Sequence, residues 1–316
     1  MQGLIISARI LVMNRTCLAL RTMVFLFTLT QVTACKKTAA VQNNTTLAPA
    51  IVTGLKSTLP SLLKESSGLC YTDGNLWSFG DSGNLNAIFK IDTATGAIVQ
   101  IVILANQPNV DYEDITADSL YIYVGDTGNN YGDRKDLRVL RIKKSDINSK
   151  DFQQNIHADA INFSYADQTD FTSNNNTNFD CEAITSIGKY LYLFSKNRGD
   201  LQTRCYKMPK DTGTYSLTPI ATFNSNGKIT DATYNPTTKE LALLGYMNQK
   251  KASFIWFFND YNGDDFFSGT AKRYTIGDVN KDWQTEGLAY ITGKRLMLSC
   301  ETSTSHPASL YFVEKQ

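Results

Sequence analysis

The chain has 316 residues, of which 42% are hydrophobic and 19% charged, and its formal net charge is +1. This length and apolar content are ample for a hydrophobic core of domain size. A net charge close to zero gives no support for nucleic-acid binding, which needs a basic stripe of Lys and Arg side chains.

Residues 1–35 have the organisation of a secretory signal peptide. Three arginines precede a short apolar run at 23–29, and the small residues Val-Thr-Ala then lead directly to Cys35. The run is too short for a membrane-spanning helix. The Val-Thr-Ala-Cys sequence resembles the bacterial lipobox, which implies acylation of Cys35 and an exported protein anchored by lipid at the bacterial cell envelope. The alternative is ordinary cleavage near Ala34 without a lipid.

The segment 36–49 is polar, built of small residues and poor in hydrophobic ones, so we expect a flexible tether. One folded domain, 50–316, follows it. Cleavage at Cys35 removes three arginines and no acid, which leaves 28 basic and 30 acidic residues and a net charge of −2. The exported body is therefore also unsuited to nucleic acid.

A three-strand pattern recurs five times along this domain. In 111–143 an acidic head opens a first strand, LYIYVGD is a second, DTGNN is a turn and LRVLRI is a third. The other four copies share this order, and each begins near an acid. The five acids are Glu65, Glu113, Glu182, Asp231 and Glu286. Their spacings of 48, 69, 49 and 55 residues are the size of a propeller blade, with one insertion.

The outer strands complete the blades. Candidates after the first four copies are Ala97–Leu104, Ala160–Tyr165, Thr218–Phe223 and Lys272–Ile276. The fifth copy runs to the C-terminus, so we expect Ala50–Leu55 to supply its outer strand and to close the ring, which removes exposed sheet edges. The sequence predicts an all-β, five-bladed β-propeller. Six blades is the alternative if 142–180 contains a degenerate blade.

In a propeller the first strand of each blade lines a central channel, and the second runs antiparallel beside it. The five acids should therefore converge on one mouth of the channel, near the ends of the second strands. Converging carboxylates repel each other unless they bind protons, backbone amides or a cation. An oxygen-only cluster suits Ca²⁺, so Glu65, Glu113, Glu182, Asp231 and Glu286 are predicted metal ligands. The alternative is that each acid caps the backbone of a neighbouring blade.

Six further residues are predicted to contact a ligand. Asp81, Asp126, Lys196 and Glu301 lie at the ends of second strands, and Arg134 and Arg198 follow in nearby loops. An arginine at the mouth is suited to bind an anion that lies beside a metal.

Four cysteines remain in the exported body: Cys70, Cys181, Cys205 and Cys300. None forms a C-x-x-C pair, so we expect small buried hydrophobic residues rather than a zinc site. The alternative is a disulfide between Cys70 and Cys300, across the first and last blades.

The run Glu-x-x-Gly-Leu, Leu-Trp-Ser-Phe-Gly-Asp-Ser-Gly-Asn and Ile-Phe-Lys-Ile-Asp from Glu65 onward resembles the blades of NHL-type and SdiA-regulated-type propellers. Thr-Glu-Gly-Leu-Ala-Tyr at 285–290 resembles them as well, and esterase-like phytase propellers are more weakly similar. The resemblance covers Glu65 to the C-terminus and implies a five-bladed envelope protein. Some related propellers bind calcium in the tunnel and hydrolyse lactones or phosphoesters, often with a histidine. The two histidines here, His157 and His306, lie in predicted loops, and neither matches a catalytic role.

Three functions follow from these observations. The first is a monomeric envelope lipoprotein that binds a small molecule or an envelope protein at a mouth holding Ca²⁺. The second is a calcium-dependent hydrolase, in which the metal polarises an ester or phosphoryl oxygen. The third is a scaffold whose acids only cap backbone.

Overall fold

The structure is a computed structural model that describes residues 51–247, 251–277 and 282–316. The predicted signal peptide, the lipidation site Cys35 and the tether lie outside the described residues. Within the described ranges, no helix has the length and apolar character needed to cross a membrane.

The described chain is built from 22 strands and three short 3-10 turns. In chain order the strands are β1 (Ile51–Thr58), β2 (Ser66–Thr72), β3 (Asn75–Gly80), β4 (Ala87–Ile91), β5 (Ile98–Leu104), β6 (Tyr112–Ala117), β7 (Tyr121–Asp126), β8 (Arg138–Lys143), β9 (Gln153–Ile156), β10 (Asp159–Tyr165), β11 (Cys181–Ile187), β12 (Tyr190–Ser195), β13 (Thr203–Pro209), β14 (Gly213–Leu217), β15 (Pro219–Phe223), β16 (Lys228–Asn235), β17 (Glu240–Met247), β18 (Lys251–Asn259), β19 (Thr270–Ile276), β20 (Thr285–Tyr290), β21 (Arg295–Cys300) and β22 (Ser309–Lys315). The 3-10 turns are Ser61–Leu63, Lys144–Asp146 and Phe266–Ser268.

Five antiparallel sheets form the blades. From the channel outward, their strand orders are β2-β3-β4-β5, β6-β7-β8-β10, β11-β12-β13-β15, β16-β17-β18-β19 and β20-β21-β22-β1. The innermost strands β2, β6, β11, β16 and β20 contact each other in cyclic order around the channel. The predicted five-bladed β-propeller is confirmed.

The ring closes as the sequence predicts. Strand β1 pairs antiparallel with β22, from Ile51 opposite Lys315 to Thr58 opposite Ser309. The first described strand is thus the outer strand of the last blade, and the pairing joins the two ends of the domain. The other four outer strands also lie where the sequence places them, to within two residues at each end.

The first two blades each carry a fifth strand that the sequence analysis missed. Strand β9 pairs parallel with β5, and β14 pairs parallel with β10. The segment 142–180 therefore holds no sixth blade, because β10 completes the second blade and β9 extends the first.

The blades are held together by apolar side chains packed between neighbouring sheets. Between the first and second blades, for example, the rings of Phe79 and Tyr112 make a T-shaped, edge-to-face contact with centroids 6.0 Å apart, and both side chains are fully buried. The first hairpin turns at Asp73 and Gly74, whose φ angles of 50° and 75° are those of the tight two-residue turn that Asp-Gly favours. The thiols of the four described cysteines are free and buried, so the alternative Cys70–Cys300 disulfide is not formed.

Candidate functional site

A bulge in the innermost strands aims the glutamates at the channel. The pairing of β6, β11 and β20 with their neighbours skips one residue, and the skipped residues are Glu113, Glu182 and Glu286. A bulge of this kind re-aims a side chain out of the regular alternation. The same irregularity in β16 falls at Thr230, so Asp231 comes one residue later and has a different orientation.

The three glutamates line one mouth of the channel. They surround a cavity of about 210 Å³, the inner cavity, whose walls are almost entirely polar. Its lining residues are Ser67, Asp81, Glu113, Asn130, Glu182, Lys196, Arg198, Tyr246, Gln284, Glu286 and Glu301. Seven of the eleven sequence-predicted site residues therefore come together here.

Two acids of this wall, Asp81 and Glu113, form a group of three carboxylates with Asp111, which does not line the inner cavity. Asp81, Asp111 and Glu113 each place an oxygen within 4.8 Å of the others. Glu113 is 5% exposed, and it has no hydrogen-bond or ion-pair partner among the described residues. Asp111 receives a long bond of 3.4 Å from the Asn130 amide, and the nearby Ser82 side chain acts slightly against the rise in its pKa that burial causes. We call Asp81, Asp111 and Glu113 the three-carboxylate group.

Gly128 shows how closely these oxygens crowd the backbone. A Cβ atom at this glycine would overlap Glu113 Oε1 and Asp111 Oδ2. Any larger residue at this position of the Asp-Thr-Gly-Asn turn would therefore displace both carboxylates.

Burial and mutual repulsion raise the pKa values of this group. Burial, and then the charges of Glu182 and Asp81, raise the pKa of Glu113 well above its usual range. Burial and the charge of Asp81 raise the pKa of Asp111 to about 6, and burial raises that of Asp81. Buried carboxyl groups whose pKa is raised in this way are stabilised by a proton or a bound cation.

A second set of acids on the same wall is already neutralised. Asp180 accepts hydrogen bonds from Arg198 Nε at 3.0 Å and from the Asn129 N–H at 2.7 Å. Glu182 pairs with the Lys196 ammonium, which is 4% exposed, and with Arg198 Nη2 at 3.3 Å. Their oxygens are within 4.8 Å of one from Glu113, but protein cations occupy them.

The far wall of the inner cavity carries another acid pair. Gln284 Nε2 donates to Glu301 Oε2 at 2.6 Å. Burial raises the pKa of both Glu286 and Glu301 to about 8, and the charge of Asp81 adds to the shift at Glu301. The neighbouring Lys196 ammonium acts in the opposite direction at both.

Two predicted ligand-binding residues belong to an ion-pair network beside the mouth. Asp126 is fully buried and accepts hydrogen bonds from Arg134 Nη2 at 3.1 Å and Arg138 Nε at 2.9 Å. Arg134 also donates to Asp136 Oδ1 at 3.1 Å and to the Gly128 carbonyl at 2.7 Å. These contacts fix the loop, and they leave Arg134 no free charge for an anion.

Two of the predicted metal ligands lie away from the inner cavity. The side chain of Glu65 is 42% exposed and accepts a hydrogen bond from Asn84 Nδ2 at 2.8 Å. Asp231 is fully buried and accepts the Leu288 N–H at 2.7 Å and, more weakly, the Leu69 N–H at 3.5 Å. For Asp231 the structure thus shows the backbone-capping arrangement that was the alternative to metal binding.

The carboxyl groups of Asp231 and Asp114 are neighbours, and we call these two residues the central acid pair. Asp114 accepts the N–H groups of Ile115 at 2.6 Å and of Ile184 at 2.5 Å. With the two bonds to Asp231, this pair binds backbone N–H groups from four of the five blades.

One solved structure supports the fold. The PQQ-bound aldose sugar dehydrogenase of Streptomyces coelicolor superposes with a TM-score of 0.52 at 11% identity, covering 85% of this chain and 100% of that one. At this identity the likeness concerns the fold alone. An exo-β-1,3-galactanase of Phanerochaete chrysosporium gives a TM-score of 0.47 at 10% identity, over 78% and 58% of the two chains, and a protein of unknown function from Dyadobacter fermentans gives 0.45 at 9% identity, over 85% and 100%. These two lower scores carry no argument.

No protein-family model and no curated protein matches the sequence. The resemblance to NHL-type and SdiA-regulated-type propellers therefore remains a prediction. The fold and the site define a class of protein: a five-bladed β-propeller with a buried acidic cluster at one mouth of its channel.

Part of the three-carboxylate group was predictable from the sequence. Glu113 was predicted as a metal ligand and Asp81 as a ligand contact, whereas Asp111 was not among the predicted site residues. Asp114 and Asp180 were missed as well. Asp111 and Asp180 each lie directly before an inner strand and two residues before its bulged glutamate, and this shared position is the signal that could have found them.

Proposed function

We propose that the protein is a lipid-anchored binding module of the bacterial envelope, and that its three-carboxylate group holds a divalent cation, with Ca²⁺ as the best fit. The observation that carries the proposal is Glu113, a carboxylate that is 5% exposed, lines the inner cavity and has no partner among the described residues. An unpaired buried carboxylate is costly unless a cation or proton neutralises it.

The chemistry of the donors selects the ion. Asp81, Asp111 and Glu113 offer only oxygen, the donor atom preferred by Ca²⁺ and Mg²⁺. No histidine or cysteine joins the groups of described residues that could hold a metal, which disfavours zinc. Asp81 and Asp111 lie on separate loops, and Glu113 lies in a bulge. Such an irregular set of ligands suits Ca²⁺, which accepts irregular geometry.

Two protein cations disfavour ion binding at the neighbouring acids Asp180 and Glu182 and so favour the three-carboxylate group. The Lys196 ammonium neutralises Glu182, and Arg198 neutralises Asp180. A cation near Glu182 would be repelled by both side chains, whereas Asp81 and Asp111 have no bound protein cation within salt-bridge distance among the described residues.

A calcium-dependent hydrolase is the second candidate, and one feature favours it. Ca²⁺ takes 6–8 oxygen ligands, so three carboxylates leave positions for a substrate oxygen and water. A metal with open positions can polarise an ester or phosphoryl group. Among the described residues lining the inner cavity there is no histidine to serve as a base, which makes binding the better supported function.

Calorimetric titration of the metal-free protein with Ca²⁺ tests the proposal. The decisive variant is Glu113→Gln, and Glu65→Gln is its matched control, since Glu65 is a half-exposed acid outside the group. We expect Glu113→Gln to weaken binding about tenfold or more, because it removes a charged ligand, and Glu65→Gln to bind like the wild type. Equal affinities in all three proteins, or no binding by the wild type, would overturn the proposal.

A further inference from the structure

A second cavity adjoins the three-carboxylate group on the side away from the channel. This outer cleft has a volume of about 270 Å³ and is lined by, among others, Ser82, Val110, Asp111, Asn130, Tyr131 and Arg134. Asn130 lines both cavities, and Asp111 faces the cleft while its partners Asp81 and Glu113 face the inner cavity. The three-carboxylate group is thus the wall between the two, and a cation bound there is reachable from the cleft.

The cleft displays an aromatic ring on a well-fixed loop. Tyr131 is 57% exposed and Val110 is 41% exposed. The backbone around the tyrosine is held by bonds from Gly132 N–H to the Asn129 carbonyl and from Asn174 N–H to the Tyr131 carbonyl, each of 2.8 Å. The ring makes no aromatic contact among the described residues. A rigid, exposed tyrosine beside a charged site is an arrangement suited to ligand contact.

The charges around the cleft decide the class of ligand. Arg134 is neutralised by Asp126 and Asp136, so the cleft has no free cation among its described lining residues with which to bind an anion. An acidic ligand would face the carboxylates of the wall. The cleft therefore fits a neutral molecule that has one apolar face and several oxygen atoms.

A pyranose sugar has this combination. Two adjacent hydroxyl oxygens can fill open positions of a cation held by Asp111 and its partners, since Ca²⁺ prefers oxygen and takes 6–8 ligands. The C–H face of the ring can cover Tyr131 and Val110. Asn130 Oδ1 accepts a hydrogen bond from Arg198, whereas Asn130 Nδ2 donates only a 3.4 Å bond to Asp111 and is placed to donate to a further hydroxyl.

We propose that the outer cleft binds saccharides, with adjacent hydroxyl groups of a pyranose coordinating the cation of the three-carboxylate group and its ring stacking on Tyr131. This inference rests on the proposed function, because the cation is the link between sugar and protein.

The test is saturation-transfer NMR of the purified protein with methyl pyranosides of the gluco, galacto, manno and fuco configurations, in Ca²⁺ and in EDTA. The decisive variant is Tyr131→Ala. Its matched control is Tyr190→Ala, another exposed tyrosine, which begins β12 at the hairpin remote from the mouth. We expect a signal with at least one sugar in Ca²⁺, its loss in EDTA, and about tenfold weaker binding in Tyr131→Ala, with normal binding in Tyr190→Ala.

The outcomes separate the two claims. If calorimetry shows Ca²⁺ binding but none of the four sugars binds, the saccharide inference fails and the cation site stands. If a sugar binds equally in EDTA, or if Tyr131→Ala binds sugar and Ca²⁺ like the wild type, the bridging arrangement is wrong. If Ca²⁺ itself does not bind, the proposed function fails first.

Discussion

The carboxyl groups of Asp114 and Asp231 are neighbours in the protein interior, where both side chains are fully buried. Two buried carboxylates side by side are costly unless one of them holds a proton. No donor among the described residues reaches Asp231 Oδ1, whereas each oxygen of Asp114 accepts a backbone N–H group. We therefore infer that the proton lies on Asp231 and is directed towards Asp114, and burial raises the pKa of both groups.

This asymmetry predicts opposite results for two similar substitutions. Asp231→Asn keeps an acceptor for the Leu288 N–H and supplies an N–H donor towards Asp114, so its free energy of unfolding should stay close to that of the wild type. Asp114→Asn turns an N–H group towards backbone donors, which leaves buried donors unpaired. Its free energy of unfolding should therefore fall by about 2–4 kcal/mol. Urea unfolding at neutral pH measures both. Equal losses in the two variants would contradict the proton assignment.

A second prediction concerns Lys196, the buried cation of the mouth. Lys196→Met removes a positive charge from the inner cavity, so we expect the protein to bind Ca²⁺ about tenfold more tightly and to be less stable in EDTA. Lys207→Met is the control, because Lys207 pairs with Asp264 at the surface. Calorimetry measures the affinity for Ca²⁺, and thermal unfolding in EDTA measures the stability. Unchanged affinity in Lys196→Met would show that the ammonium does not oppose cation binding.

The third prediction is a loss of stability as the pH rises. Glu286 and Glu301 have folded-state pKa values of about 8, above the unfolded value of about 4.3. Protons therefore favour the folded state, and this stabilisation is complete below about pH 4 and lost as the pH rises to 8. Urea midpoints at pH 5, 7 and 9 in EDTA should fall with pH. The double variant Glu286→Gln/Glu301→Gln should show a shallower fall, and an unchanged slope would be evidence against these pKa shifts.

The fourth prediction concerns export. Cys35→Ala should abolish labelling by radioactive palmitate and release the protein from the membrane fraction, because the acylated thiol would be absent. Cys17→Ala, in the predicted leader, is the control and should be labelled normally. Palmitate labelling that persists in Cys35→Ala would exclude the lipobox.

Much of the fold was predictable because alternating strands and Gly-rich turns carry strong local signals. Pairing of β1 with β22 followed from counting strands, since one blade lacked an outer strand and one apolar segment was left over. Strands β9 and β14 were missed because their sequences, QQNI and GTYSL, are largely polar. Each adds to an edge in parallel, an interaction set by the partner strand rather than by its own pattern.

The site was harder to predict because residue type does not give register. Asp231 was grouped with the glutamates as the acid of its blade. The glutamates are the skipped residues of their bulges, whereas Asp231 follows the skipped residue of its own bulge, so its side chain has a different orientation. Aligning the blades on the apolar residue that follows, Ile115 in one and Ala232 in another, would have placed Asp114 and Asp231 in one column and Glu113 in the column before it. The neutralisation of Glu182 by Lys196 depends on two strands meeting, and only the structure shows it.

The most direct test of the cation site is a crystal structure of the protein grown with Tb³⁺ in place of Ca²⁺, read from the anomalous scattering of the ion. We expect an anomalous peak bounded by carboxylate oxygens of Asp81, Asp111 and Glu113. Crystals that show no peak at this position, or a peak only at other acids such as Glu286 and Glu301, would contradict it.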